Sequence, residues 1–160
     1  MGKKSYDAGK TFEDWFKSVC EMRGLVCVRI PNGCRTIVKA GRPRLVRCKT
    51  PFDWLISMKG RSACVDTKTF DRHFINYSDI DPDQLKALTE TGASIPSGYV
   101  VWFRTINLVV FFSFDILGSI GKGESLQPEQ GLILGTEANF KPAEIFGAWT
   151  GQTGQQSLPI

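Results

Sequence analysis

The sequence predicts an α/β domain: one mixed central sheet flanked by helices, with a basic arm projecting from it. Three observations predict this. Helix-periodic segments and strand-length apolar runs follow one another as helix, strand, arm, two strands, helix, two strands, helix. The runs 99–103 (YVVWF) and 108–112 (LVVFF) are apolar throughout, the pattern of strands covered on both faces. Between the first strand and the next pair lies a basic stretch without acids, broken by Gly41 and Pro43. The 160 residues suit one domain, or one domain with a tail.

The first helix is expected over residues 9–22. Phe12, Trp15, Phe16 and Val19 fall at i, i+3, i+4 and i+7 and make one apolar face, and Gly24 supplies a C-terminal stop. Residues 25–30 (LVCVRI) read as a strand ended by the turn residues Pro31, Asn32 and Gly33. Residues 34–50 read as an extended arm or loose hairpin. A hairpin follows, out along 52–58, round Lys59-Gly60-Arg61 and back along 62–69. Residues 70–80 read as a loop. Asp81 as N-cap, Pro82 at the first helical position and Gln84 in a capping-box position then open a helix that Gly92 ends, with Leu85 and Leu88 facing the core. Two apolar strands over 99–104 and 108–114 come next, and a short helix begins at Asp115. Residues 126–135 mix Pro and Gly without clear periodicity. A short helix from Pro142 carries Ile145, Phe146 and Trp149, and the polar end GQTGQQSLPI is expected to fray.

Composition excludes several classes. With 42% hydrophobic and 22% charged residues the chain is neither disordered nor collagen-like. Its longest apolar runs are strand-length, so no membrane span is expected, and MGKKSYDAGK lacks the apolar segment of a secretory signal. Cysteines stand at 20, 27, 34, 48 and 64, an odd number with no CxxC pair. They read as free thiols of a cytoplasmic protein rather than as disulfides or zinc ligands. Net charge is +4 but unevenly spread: residues 1–68 carry 15 Lys/Arg against 6 Asp/Glu, and residues 69–160 carry 5 against 10. The densest block holds Arg29, Arg35, Lys39, Arg42, Arg44, Arg47 and Lys49 with no acid among them, which points to a polyanion partner.

Two tempting features carry nothing. GSIGKG at 118–123 has its first Gly misplaced for a phosphate loop and Gly where Ser or Thr would follow the Lys. The single histidine, His73, lies in the loop after the hairpin and reads as a surface or junction contact rather than a catalyst.

The informative segment is PFDWLISMKGRSACVDTKTF, residues 51–70. Asp66 and Lys68 are two apart on one strand and leave the same face, and Asp53 lies on the paired strand. Two carboxylates and an ammonium then converge on a sheet otherwise made of Trp, Leu, Ile, Val and Cys. Such charges are costly unless compensated, and a hard divalent cation with oxygen ligands would compensate them.

PFD, then V-D-T-K, with an acid on the preceding helix (Glu13 in GKTFEDWF) and a Gln on the following one (INYSDIDPDQLKAL), resembles the PD-(D/E)xK nuclease superfamily. With the hydrophobic pair GYVVWFRTINLVVFFSFDIL it is similar to Holliday-junction resolvases of the bacterial RecU and archaeal Hjc types over roughly residues 9–118. The resemblance implies a restriction-endonuclease-like core over 1–120, with residues 31–50 as a basic stalk and 121–160 as a C-terminal extension. It implies Asp53 and Asp66 as metal ligands completed by Glu13, Lys68 as the catalytic lysine, and Gln84 near the site. Glu13 competes with Asp14 for the helix role, and Gln84 has a helix-capping role as its alternative. The chain departs from many relatives in having Asp66, one methylene shorter, where they have Glu.

What the resemblance implies as function is a Mg²⁺-dependent endodeoxyribonuclease, with Mn²⁺ as substitute, that resolves four-way DNA junctions by paired nicks. Two nicks call for two active sites and hence a homodimer. The alternatives are another nuclease of the superfamily, restriction-like or nicking, and a non-catalytic junction-binding protein on the same fold.

Overall fold

Helix α1 exists because its apolar residues recur on one face, and it ends because Gly24 can take a positive φ. In a computed structural model it spans Gly2–Met22. The model describes residues 2–31, 33–39, 42–48, 50, 52–92 and 94–147, and of 2–8, 33–39 and 43–48 the backbone alone. Phe12, Phe16 and Cys20 are buried, with Trp15 and Val19 packed beside them. Gly24 has φ +80°, and the Leu25 and Gly24 amides donate to the Cys20 and Glu21 carbonyls, closing the helix end with its last carbonyls satisfied. The helix begins seven residues earlier than apolar periodicity indicates, since residues 2–8 add no apolar stripe that periodicity could detect.

Strand β1 is Val26–Arg29, and the basic stretch forms an antiparallel hairpin, β2 (Gly33–Lys39) and β3 (Arg42–Cys48), paired from Gly33↔Cys48 to Lys39↔Arg42. The expectation that Pro43 breaks regular structure is corrected: Pro43 pairs with Val38 inside β3. In a two-stranded sheet both strands are edges, and alternate amides face away from the partner, so a residue without an N–H is tolerated. β4 (Trp54–Met58) and β5 (Arg61–Phe70) are joined by Lys59 and Gly60, both with positive φ (49° and 77°), the conformation of a two-residue hairpin turn matched to strand twist.

Residues 70–80 are more ordered than a loop. β6 (Ile75–Asn76) pairs with β9 (Ser125–Leu126), a non-local partner that no local pattern reveals. Helix α2 (Pro82–Gly92) follows, then β7 (Ser97–Phe103), β8 (Leu108–Ser113), α3 (Phe114–Ser119) and β10 (Leu132–Gly135). The last of these was not expected from sequence. It pairs with β8 at the sheet edge, where its single buried residue, Leu134, leaves too weak an alternation to read. The segment from Pro142 is a 3-10 helix with Ile145 and Phe146 buried, while Trp149 and the terminal segment lie outside the described residues.

The main sheet is mixed, in the order β1-β4-β5-β7-β8-β10, with β5–β7 parallel and the other pairs antiparallel. One face packs under α1, through Trp54, Ile56, Val65, Val100 and Phe111. The other packs under α2 and α3, through Tyr99, Val101, Phe103, Val110 and Phe112. Both faces of β7 and β8 are therefore covered, as their unbroken apolar sequences require. The strand directions gather one end of the sheet. β1 leaves there into the arm, β4 enters there just after Asp53, and β5 and β7 finish there.

The sheet also sets a packing test. A Cβ on Gly98 would lie 2.0 Å from the Phe112 carbonyl oxygen on the neighbouring strand, whereas one on Gly118 meets nothing within 4 Å. Gly98→Ala is expected to cost about 2 kcal/mol or more in urea unfolding. Gly118→Ala is expected to leave stability unchanged or slightly raised.

Candidate active site

Asp53 stands one residue before β4, and its backbone is pinned from both sides. Its amide donates to the Val65 carbonyl (3.1 Å), and its carbonyl accepts from the Ile30 amide (2.8 Å). Trp54 pairs with Val65, so Asp53 comes next to Asp66 at the mouth of the hairpin. The Asp53 carboxylate is fixed by one residue: Oδ2 accepts from the Thr67 amide (3.2 Å) and the Thr67 hydroxyl (3.1 Å).

Asp66 is 1% exposed in the middle of β5. Burial, opposed by the Lys68 charge and reinforced by that of Asp53, pushes its carboxyl up to about 7. Its two oxygens differ. Oδ1 accepts from Gln84 Nε2 at 2.9 Å. Oδ2 lies 2.6 Å from Lys68 Nζ, a charge-assisted contact.

Lys68 projects from the same strand face as Asp66, as the two-residue period requires. Its Nζ donates to Gln84 Oε1 (3.2 Å) and sits 5.1 Å from the centre of the Tyr99 ring. The Tyr99 hydroxyl donates to the same Gln84 oxygen (3.1 Å). Gln84 thus turns its NH₂ to a carboxylate and its oxygen to an ammonium and a phenol. The reversed amide would set like partners against each other at both ends. The capping role is taken by Asp81, whose Oδ1 accepts from the Asp83 and Gln84 amides (2.9 and 3.3 Å). Of the two roles the sequence allowed, the Gln84 side chain occupies the one at Asp66 and Lys68.

Glu13 is partly buried while Asp14 is exposed. Burial raises the Glu13 carboxyl, the Arg29 charge lowers it, and the Asp53 charge raises it again, so Glu13 lies within electrostatic reach of the site. Its direct partner is Arg29, whose Nη2 is 2.7 Å from Glu13 Oε2. Arg29 ends β1, with its guanidinium 5.5 Å from the centre of the Trp54 ring.

Asp53, Asp66, Lys68 and Gln84 therefore come together, and Glu13 stands beside them on α1. Among the described residues, no three His, Cys, Asp or Glu side chains are grouped as a ready metal cage. The donor set nevertheless fits a hard divalent cation. Two neighbouring carboxylates, one of them buried in the sheet, would supply oxygen ligands. Mg²⁺ is commonly held by one or two carboxylates together with water and phosphate.

Two contributors were missed from sequence. Thr67 faces away from Asp66 on its strand and holds Asp53. Tyr99 is opposite Asp66 in the parallel β5–β7 register, across a connection of more than twenty residues that carries no pairing signal. Of the basic residues, Arg35, Lys39, Arg42, Arg44 and Arg47 lie on the β2–β3 hairpin with Arg42 exposed, and Lys49 lies outside the described residues. His73 is exposed, edge-on to Phe74. Cys20, Cys27 and Cys64 are free thiols, as expected, and the side chains of Cys34 and Cys48 lie outside the described residues. No helix among the described residues is long and apolar enough to cross a membrane.

Because the folded-state value of Asp66 lies above its unfolded value of 3.8, its ionised form costs stability. That cost grows as pH rises from the unfolded value through about 7. In chelator-treated protein, Asp66→Asn is expected to melt above the parent at pH 8, by the equivalent of about 2 kcal/mol, with the difference shrinking toward pH 4. Equal melting curves across this range would remove burial as the dominant influence on Asp66.

No protein-family model matches the chain, and no curated protein matches it in sequence. Its backbone is similar to that of Hjc from Archaeoglobus fulgidus, a Holliday junction resolvase of an archaeal hyperthermophile. The TM-score is 0.56 at 14% identity, covering 78% of this chain and 95% of that one. The chain thus shares with this resolvase a fold, a mixed sheet flanked by helices, at an identity where fold is what the likeness establishes.

Proposed function

We propose that the protein is a divalent-metal-dependent, structure-selective endodeoxyribonuclease that resolves four-way DNA junctions by paired nicks as a homodimer. The observation that carries this reading is the constellation around β5: buried Asp66 beside Asp53, Lys68 and Gln84. The likeness of the backbone to an archaeal resolvase supports it.

Asp53 and Asp66 would hold Mg²⁺ or Mn²⁺, with Glu13 as a third carboxylate. The bound cation would supply a Lewis acid for a phosphate oxygen and a water of lowered pKa. Lys68 is 29% exposed at its side chain, so it can reach a phosphate while Gln84 and the Tyr99 ring hold its ammonium in place. There it stabilises charge that develops on the phosphate in the transition state. Thr67 keeps the Asp53 carboxylate aimed, and Gln84 does the same for Asp66. The β2–β3 hairpin, a two-stranded sheet separate from the main one, carries Arg35, Lys39, Arg42, Arg44 and Arg47, with Arg29 and Lys49 flanking it in sequence, and would enter the crowded phosphates at a junction centre. With junction DNA as substrate, the protein would act inside the cell, in the cytoplasm.

Asp53→Asn and Asp66→Asn are expected to abolish Mg²⁺-dependent cleavage of a synthetic four-way junction while leaving junction binding within about threefold of the parent. Full activity in either variant overturns the assignment of the site. Lys68→Ala is expected to lower the single-turnover rate at least about 100-fold without rescue by added Mg²⁺.

Replacing Arg42, Arg44 and Arg47 together with Ala is expected to weaken binding to a four-way junction more than to linear duplex. It is also expected to flatten the log–log salt dependence by about one unit per lost phosphate contact. Equal losses on both DNAs, or equal cleavage of both, would point instead to a general nuclease of this fold.

A further inference from the structure

The third carboxylate of the site is engaged elsewhere. Glu13 Oε2 lies 2.7 Å from Arg29 Nη2, and Asp53 and Asp66 face each other without it. Arg29 is placed to do more than neutralise Glu13. It is the last residue of β1, four positions before the basic hairpin begins at Gly33. Its guanidinium rests against the Trp54 ring, next in sequence to Asp53, and its side chain is 55% exposed. A guanidinium has five N–H donors in a planar fork that suits phosphate as well as carboxylate, so an incoming DNA backbone can compete for it. Once the Arg29 charge is drawn to a phosphate, Glu13 loses its ion-pair partner and is left with the repulsion of Asp53.

We propose that Arg29 withholds Glu13 from the Asp53–Asp66 pair in the DNA-free protein and releases it when a phosphate takes over the guanidinium. Arg29 is on this view a positioning residue, an internal cation that occupies Glu13 in place of the metal until substrate arrives. The metal site is then half-assembled in free protein and complete on DNA, which limits cleavage to backbone already bound at the root of the arm. The inference rests on the proposed metal-dependent reading of the site.

The test is Mn²⁺ affinity of the full chain without DNA, read by the electron paramagnetic resonance of free Mn²⁺. Arg29→Ala and Arg29→Gln are both expected to bind Mn²⁺ about threefold to fivefold more tightly than the parent, the scale of a partly exposed ion pair. Arg29→Lys, which keeps the charge, is expected to stay near the parent. Adding Glu13→Gln to Arg29→Ala is expected to cancel the gain. Sulfate, used as a phosphate surrogate against chloride of matched ionic strength, is expected to tighten Mn²⁺ binding to the parent and to leave Arg29→Ala unchanged. Unaltered affinity in both neutral variants overturns the proposal, as does a gain that survives Glu13→Gln or an equal sulfate effect in parent and Arg29→Ala. Junction cleavage, assayed separately, keeps the two readings apart. A protein that cleaves junctions but lacks this coupling loses the Arg29 role alone, and one that shows the coupling without cleavage loses the resolvase reading alone.

Discussion

The Asp66–Lys68 pair, set into an apolar sheet, is the constraint around which the neighbouring structure is arranged. A carboxylate buried to 1% exposure is costly, and a lysine two residues away on the same strand face offsets part of that cost. The remaining polar atoms need partners that β5 cannot provide. Gln84 comes from the first turn of α2 and Tyr99 from the parallel neighbour β7, and together they hold the ammonium and one carboxylate oxygen. Asp81 caps α2 and so fixes where Gln84 points, while its own amide donates to the Tyr99 hydroxyl (3.4 Å). Helix, sheet and charge pair are thereby linked through a few side chains whose geometry is interdependent.

The second carboxylate shows how a sheet can aim a group that lies just outside it. Asp53 is not in β4, but its amide is bonded to Val65 of β5 and its carbonyl to Ile30 just past β1, and Thr67 takes its side chain. The position is rigid without belonging to a regular strand. The same end of the sheet receives the root of the basic hairpin and the end of β5, so charge that attracts a polyanion and groups that could act on one are close by topology. Arg29 is the residue common to both, bonded to Glu13 and standing where β1 turns toward the hairpin.

Much of this was legible in the residues. The amphipathic face of α1, Gly24 as its stop, the 59–60 turn, the capped start of α2 and the double burial of β7 and β8 all follow from local pattern. So does the shared face of Asp66 and Lys68, because a strand has a period of two. β6, β9 and β10 were not legible. Each is two to four residues long and is a strand through its partner rather than through its own composition. Pro43 misled for a related reason, since a proline that would break a central strand is harmless in a two-stranded ribbon.

The sequence alone determined the α/β class, the basic arm, the hairpin that carries Asp53, Asp66 and Lys68, and the candidacy of Glu13 and Gln84. The class, the arm and the hairpin depend on spacing along the chain, which the order of residues contains directly, whereas the candidacy of Glu13 and Gln84 came from the resemblance of the surrounding motifs to a nuclease family. The tertiary structure decided that Gln84 serves Asp66 and Lys68, that Tyr99 and Thr67 belong to the site, and that Glu13 is paired with Arg29. Each of these depends on register and packing between elements remote in sequence. Such contacts are selected by the burial of apolar faces across the whole sheet, a cooperative quantity that no short window of sequence contains.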